Sequence, residues 1–227
     1  MKKIGVKFKE SAKELLNTQS LALIAMFLGV RIALGFLTDI QLTENIKISF
    51  TIFPTTLACM MFGPVPGIVM GGAADLIGIY LKPVGPFFPG YTLDAMIAGM
   101  IYGLYFYRRE KISVFHVMAA LATVVVFVNL CMTTSWISIQ YGVKDFGMFF
   151  SDSSAAWDSF TTKFKAIFWS RALKNAIQYP VNVVGVYCIM TAVREIPVVK
   201  GYLRRKDRVT EENVRVAEAQ IQQKEGI

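Results

Sequence analysis

The chain is a succession of long apolar runs separated by short joints that are polar or carry proline and glycine. A helix needs about 20 mostly apolar residues to cross the hydrocarbon core of a bilayer. Six candidate runs are read, at 20–37, 50–62, 64–81, 92–107, 115–139 and 166–193. Inside lipid every backbone N–H and C=O must be bonded within the chain, so such runs fold as helices. The predicted fold is an all-α membrane protein with six transmembrane helices. One membrane domain (20–195) is flanked by a basic amphipathic tail (1–19) and a charged tail (196–227). Composition agrees, with 54% apolar and 18% charged residues, against about 25% charged in an ordinary soluble domain. A disordered chain is excluded by its apolarity. The run at 50–62 is short for a crossing, which predicts a helix that is tilted, re-entrant or sheltered by neighbours. The joint Phe62-Gly63-Pro64-Val65-Pro66-Gly67 predicts a tight turn, because proline cannot continue the preceding helix.

The net charge is +8. Apolar runs break it into patches, which suits an anionic lipid surface better than a nucleic acid. Of 24 Lys and Arg, sixteen fall in the N-tail, in the joint Arg108, Arg109 and Lys111, and in the C-tail from Arg194 onward. Five lie on the other side, namely Lys47, Lys82, Lys144, Lys163 and Lys165. With six spans, this asymmetry places both termini in the cytoplasm. The N-tail has no convincing small-residue cleavage site and is expected to be retained. Its apolar positions Ile4, Phe8, Ala12, Leu15 and Leu16 recur at helical spacing, predicting an amphipathic helix on the inner face. Cys59, Cys131 and Cys188 each sit in an apolar run and are read as buried small hydrophobes. Their number and spacing give neither a metal motif nor a disulfide framework.

Charges inside a bilayer are costly, so each is a functional candidate. In the sixth run Arg171, Lys174/Asn175, Gln178 and Asn182 share one helix face, as do Asn129, Thr133, Trp136 and Gln140 in the fifth. The fourth run repeats the pattern with Tyr91, Asp94/Ala95, Ala98 and Tyr102, and Asp75 lies among Gly71, Gly72 and Gly78 in the third. Most of these positions fall in the outer halves of their spans, which predicts a polar pocket opening outward. Interhelical hydrogen bonds and ion pairs are the structural alternative. Asp75 and Arg31 either pair with each other or meet a ligand. Tyr91, Trp136, Phe87 and Phe88 are either interfacial anchors or stacking platforms. In the first run Ala22, Ala25, Gly29 and Ala33 form a stripe of small residues. Such a stripe serves close packing within the chain or docking of a partner.

The sequence holds no G-x-x-x-x-G-K-[ST], so ATP hydrolysis by a P-loop is not expected. His116 is the single histidine, and no Ser/His/Asp set or H-E-x-x-H motif occurs. No metal and no cofactor are implied. An intramembrane enzyme would have to work with carboxylates alone, through Asp75 and Asp94. Two matching halves with interrupted helices, as in many secondary transporters, are not read either.

Five segments carry a resemblance. The runs Ile48-Ser49-Phe50-Thr51-Ile52-Phe53-Pro54, Met61-Phe62-Gly63-Pro64 and Gly71-Gly72-Ala73-Ala74-Asp75-Leu76-Ile77-Gly78 resemble the substrate-binding S-components of energy-coupling factor vitamin transporters. Gly85-Pro86-Phe87-Phe88-Pro89-Gly90-Tyr91-Thr92-Leu93 and Gly29-Val30-Arg31-Ile32-Ala33-Leu34 are similar to the folate-specific branch. The likeness spans about residues 20–195. It implies a six-helix bundle in a bacterial cell membrane with an outward-facing vitamin site under outer loops. It also implies a membrane coupling protein and two cytoplasmic ATPases as partners, the coupling protein meeting the small-residue face of the first span. On this reading folate is the ligand. Tyr91 and Trp136 stack on the pterin. Asp75 or Asp94 accepts its donor edge. Asn175, Gln178 and Asn182 read other edges. Arg171 and Lys174 take the glutamate carboxylates, and Arg31 and Asn129 complete the binding set. The loops 38–48 and 82–90 gate the site. Another vitamin, such as riboflavin or pantothenate, is the nearest alternative.

Overall fold

The computed structural model describes residues 2–37, 40–43, 46–48, 50–81, 87–107, 109, 112–142, 153–197 and 199–200. In chain order these form α1 (Lys2–Leu15), α2 (Thr18–Leu37), the strands β1 (Ile40–Thr43) and β2 (Ile46–Ile48), α3 (Ile52–Phe62), α4 (Pro64–Leu81) and α5 (Pro89–Phe106). Then come α6 (Val114–Thr123), a π-helical stretch (Val124–Met132) that runs on into α7 (Thr133–Gly142), and α8 (Ser153–Arg194). Two compact units divide the chain, Met1–Tyr187 and Cys188–Ile227. In the second, Lys200 Nζ and Glu195 Oε2 pair at 2.7 Å, and the lysine's hydrogen bond holds the Glu195 carboxyl below its ordinary pKa. The site residues all lie in the first.

The expected spans correspond to α2, α3, α4, α5, the α6–α7 rod and α8. Four segments are long and apolar enough to cross a membrane by length and composition: Thr18–Leu37, Pro64–Leu81, Val114–Gln140 and Phe164–Arg194. The short α3 is the sheltered case, with every residue from Pro54 to Phe62 buried. α5 has 18 residues but carries Asp94, Tyr91, Tyr102 and Tyr105. α8 begins at Ser153, well before the expected 166. The added segment is polar, and a search for apolar runs is blind to a helix that continues past the lipid.

The outer segment 38–48 was expected as a loop. Its described part is an antiparallel hairpin pairing Ile40 with Ile48, Gln41 with Lys47 and Thr43 with Ile46, with a bulge between Gln41 and Thr43. The alternation of Ile40, Leu42, Ile46 and Ile48 around Glu44-Asn45 is a short strand signal, hidden beside signals several times longer. The expected gate at 82–86 and the tail 201–227 lie outside the described residues.

The predicted turn between α3 and α4 is present. Gly63 ends α3 at φ +91°, a conformation that side-chain-bearing residues rarely adopt, and its N–H bonds the Cys59 carbonyl at 3.0 Å. Helix ends leave carbonyls and amides without intrahelical partners. Ser11 of α1 serves one of each, its Oγ donating to Phe62 O at 2.8 Å and accepting from Val65 N–H at 3.0 Å. The expected amphipathic helix thus forms, but it meets the bundle with its polar side. Ser11 and Glu14 are 0% and 4% exposed. Ser20 Oγ donates to Glu14 Oε2 at 2.8 Å, and Lys7 Nζ reaches Leu104 O at 3.2 Å. Burial, and secondarily the charge of Arg109, push the Lys7 ammonium below its ordinary pKa. Leu16, 86% exposed, and Ala12 face outward.

Of the three cysteines only Cys59 is buried; Cys131 and Cys188 are exposed. The expectation fails for these two because an apolar run in a membrane protein has a lipid-facing side as well as a core side.

α4 and α5 are the most closely packed helices. They touch backbone to backbone at Gly67 and Gly99, where a Cβ on either would overlap the other's carbonyl. The Cys59 thiol fills the adjoining space, with Sγ 3.4 Å from Gly99 O. Gly99→Val must therefore force the pair apart. It is expected to lower the thermal midpoint in detergent by an amount corresponding to at least about 1–3 kcal/mol, measured by following the soluble helical fraction on heating.

Candidate functional site

α4 packs closely on one side of α5, and away from that seam α5 meets α3 and the rod that runs from α6 into α7. Residues three apart on a helix share a face, so Tyr91 and Asp94 point together toward α7. Asp94 is 7% exposed. Its Oδ2 accepts from Thr133 Oγ1 at 2.6 Å and its Oδ1 from Trp136 Nε1 at 3.1 Å. A turn away, the Tyr91 hydroxyl donates to Gln140 Oε1 at 2.7 Å. The stripe Thr133, Trp136 and Gln140 thus answers Tyr91 and Asp94 across the interface.

An aromatic cluster sits on the same joint. The Phe88 ring centroid lies 5.8 Å from that of Tyr91, edge to face, and 5.6 Å from that of Trp136. Gly90 is the floor of the cluster. A Cβ there would fall 2.5 Å from Phe88 Cε1 and 2.7 Å from Trp136 Cδ2. Phe87, by contrast, is exposed.

The π-helical stretch leads into this face. Its widened turn is seen where Thr133 N–H bonds Val128 O, five residues back. The hydroxyls of Thr133 and Thr134 reach Val128 O at 3.1 Å and Asn129 O at 3.3 Å. Such stretches are rare and often occur at functional sites. Asn129, inside it, approaches α8, with Nδ2 3.5 Å from Asn175 Oδ1.

Behind that contact is a cavity of about 80 Å³ whose polar lining is Asn129, Asn175, Gln178, Asn182, Tyr102 and Tyr179. The three amides on α8 therefore share a face, as their spacing predicts. Pro180 lies within α8 beside them and withdraws the N–H that would bond the Ala176 carbonyl. Tyr179 donates to Met118 O at 2.8 Å.

The charged candidates fall into two groups. Arg171 is half-buried on α8, within electrostatic range of Tyr91 and Asp94. No hydrogen bond or ion pair among the described residues engages its guanidinium. Among the described residues Asp75 takes one hydrogen bond, from Thr92 Oγ1 to Oδ2 at 2.7 Å. Arg31 lies within electrostatic range of Asp75 and Tyr102, and among the described residues it closes to no ion pair. Lys174 is half-buried on α8 and does not line the cavity.

Tyr91, Asp94, Trp136 and Arg171 are thus gathered in one layer, and Asn129, Asn175, Gln178 and Asn182 in the next. Thr92 is a residue of this site that the sequence pattern does not mark, whereas Phe88 and Tyr102 fall in the aromatic and polar sets read from it. Thr92 lies two positions from Asp94, off its helix face, and gives no periodic signal. The stripe Ala22, Ala25, Gly29 and Ala33 is exposed along α2, and a Cβ added at Gly29 would meet nothing within 4 Å. It does not serve packing within the described residues of this chain.

A bundle of apolar helices enclosing a layer of carboxylates, amides, aromatic rings and an uncommitted arginine is a multi-pass membrane protein with an internal polar site. Residues 19–190 match the family described as "ECF transporter, substrate-specific component", and the chain belongs to that family. It is similar to the folate transporter FolT of Clostridium novyi (strain NT), with 33% identity over 145 residues, 64% of this chain and 73% of that protein. The folate transporter FolT of Leuconostoc mesenteroides subsp. mesenteroides is 27% identical over 168 residues, covering 74% and 82% of the two chains. Among solved structures, one described as FolT bound with folic acid superposes with a TM-score of 0.60 at 29% identity, covering 80% of this chain and 95% of that one.

Gly90→Leu should displace Phe88 and Trp136. A changed near-ultraviolet circular dichroism signal with an unchanged far-ultraviolet helix signal is the expected result.

Proposed function

We propose that this chain is the folate-binding component of an energy-coupling factor transporter, a multi-pass protein of a bacterial cell membrane with both termini in the cytoplasm. The likeness to a structure bound with folic acid carries this reading, because it covers most of both chains and the layer from Tyr91 to Asn182 offers matching chemistry. A pterin is flat, apolar on its faces and rich in donors and acceptors at its edge. Such ligands are held by aromatic surface and a few placed polar groups. Tyr91 and Trp136 supply the surface. Asp75, with one carboxylate oxygen unclaimed among the described residues, accepts from the pterin's amino group. Asn129, Asn175, Gln178 and Asn182 complete the edge. Arg171 meets a glutamate carboxylate of the ligand, with Lys174 and Arg31 adding positive charge. Charge-assisted bonds of this kind are the strong ones.

The energy comes from other chains in this reading, a membrane coupling protein and two cytoplasmic ATPases. Binding and release suffice for this subunit, which performs no chemistry on its ligand. The exposed small-residue stripe of α2 is the docking face for the coupling protein, since small residues let a partner helix approach closely.

Arg171→Ala and Asp75→Asn are each expected to weaken equilibrium folate binding by about tenfold or more, as loss of a charge-assisted bond implies. Titration of the purified protein checks this, and wild-type affinity in both variants would refute the pocket. Gly29→Trp is expected to abolish folate uptake by cells while leaving binding by the purified chain intact. Retained uptake would remove α2 from the docking face.

A further inference from the structure

We infer that Asp94 is a positioning residue, which fixes the Trp136 indole in the plane that the ligand stacks on, and that it does not itself contact the ligand. The inference rests on the folate-binding reading for its consequence and on geometry alone for its cause. Both Asp94 oxygens are already claimed, Oδ1 by the Trp136 N–H at 3.1 Å and Oδ2 by the Thr133 hydroxyl at 2.6 Å. Those donors sit three residues apart on the π–α7 rod, so one carboxylate grips two positions about one turn apart on one face of that helix. Asp75 differs, with a single bond from Thr92.

Trp136 is held from three directions. Its N–H is tied to Asp94, the Phe88 ring leans on it at 5.6 Å with a 53° angle between planes, and Gly90 lies close against the indole. The indole is only partly buried, so part of its surface is left for a ligand. A stacking ring that is already immobile loses less freedom on binding, and that preorganisation raises affinity. A carboxylate in an apolar bundle also needs donors to its oxygens at all times, which makes Asp94 a poor choice for a contact that must be made and broken in each transport cycle.

A double-mutant cycle separates the two roles, because residues acting through one bond are non-additive. Asp94→Asn keeps the shape but cannot accept from both donors. Trp136→Phe keeps a ring but removes the N–H. Each is expected to lower folate affinity about tenfold, and the double variant is expected to be no weaker than the weaker single. A loss in the double variant equal to the product of the single losses would overturn the proposal, since Asp94 would then bind the ligand independently.

The second readout needs no ligand. Trp157→Phe and Trp169→Phe together leave Trp136 as the only tryptophan. In that background Asp94→Asn is expected to shift the Trp136 emission maximum and to increase acrylamide quenching. Thr133→Val, which removes the other donor, should move both in the same direction. Unchanged emission and quenching in both variants would refute the positioning role, even if Asp94→Asn were to weaken binding. If the wild-type chain bound no folate, the folate reading would fail, while the emission change would still decide the role of Asp94. Should Asp94→Asn fail to fold, Thr133→Val decides the matter by the same emission and quenching readouts.

Discussion

The contact between Gly67 and Gly99 is where the arrangement of the bundle begins. Helices in lipid gain little from burying apolar surface against one another, because the surrounding chains are equally apolar. What brings α4 and α5 together is the chance for two backbones to touch. Once they do, Asp75 meets Thr92 across the same seam, and the face of α5 that carries Tyr91 and Asp94 is turned toward α7. Tyr91 and Asp94 then have a fixed direction, and the rod from Val114 to Gly142 has to present Thr133, Trp136 and Gln140 to them. The polar layer follows from a place in the structure where there are no side chains at all.

Much of this was legible in the sequence. Apolar run length gave the order and limits of most helices, and the helical spacing of polar residues placed Tyr91 with Asp94, Thr133 with Trp136 and Gln140, and Asn175 with Gln178 and Asn182 on common faces. These patterns survive because a polar group in a membrane helix has one tolerable direction, toward other polar groups. The hairpin from Ile40 to Ile48 escaped the same reading, since each strand is short beside the apolar runs around it. The polar extension of α8 back to Ser153 escaped it because apolarity says nothing about a helix outside the lipid.

Pairing was less legible than direction. A sequence shows that Asp75 and Asp94 both lie in spans, but not that one has a single donor and the other has two. Nor could it separate internal packing from an open face for Ala22, Ala25, Gly29 and Ala33, which have the same spacing in both cases. The amphipathic α1 shows the limit most plainly. Its periodicity predicted the helix, whereas its inward side is set by two backbone groups at the α3–α4 turn that no side-chain pattern reveals.

That turn has a consequence for how the chain can vary. Position 11 must donate to one helix end and accept from the next, while standing close against Gly63, whose added Cβ would fall 2.7 Å from Ser11 Oγ. Alanine offers no hydroxyl, and threonine brings a methyl into a space already full. Position 63 is constrained from the other side, by its backbone angle and by the serine it faces. The two sites, far apart along the chain, are therefore constrained together, each leaving the other little room to change.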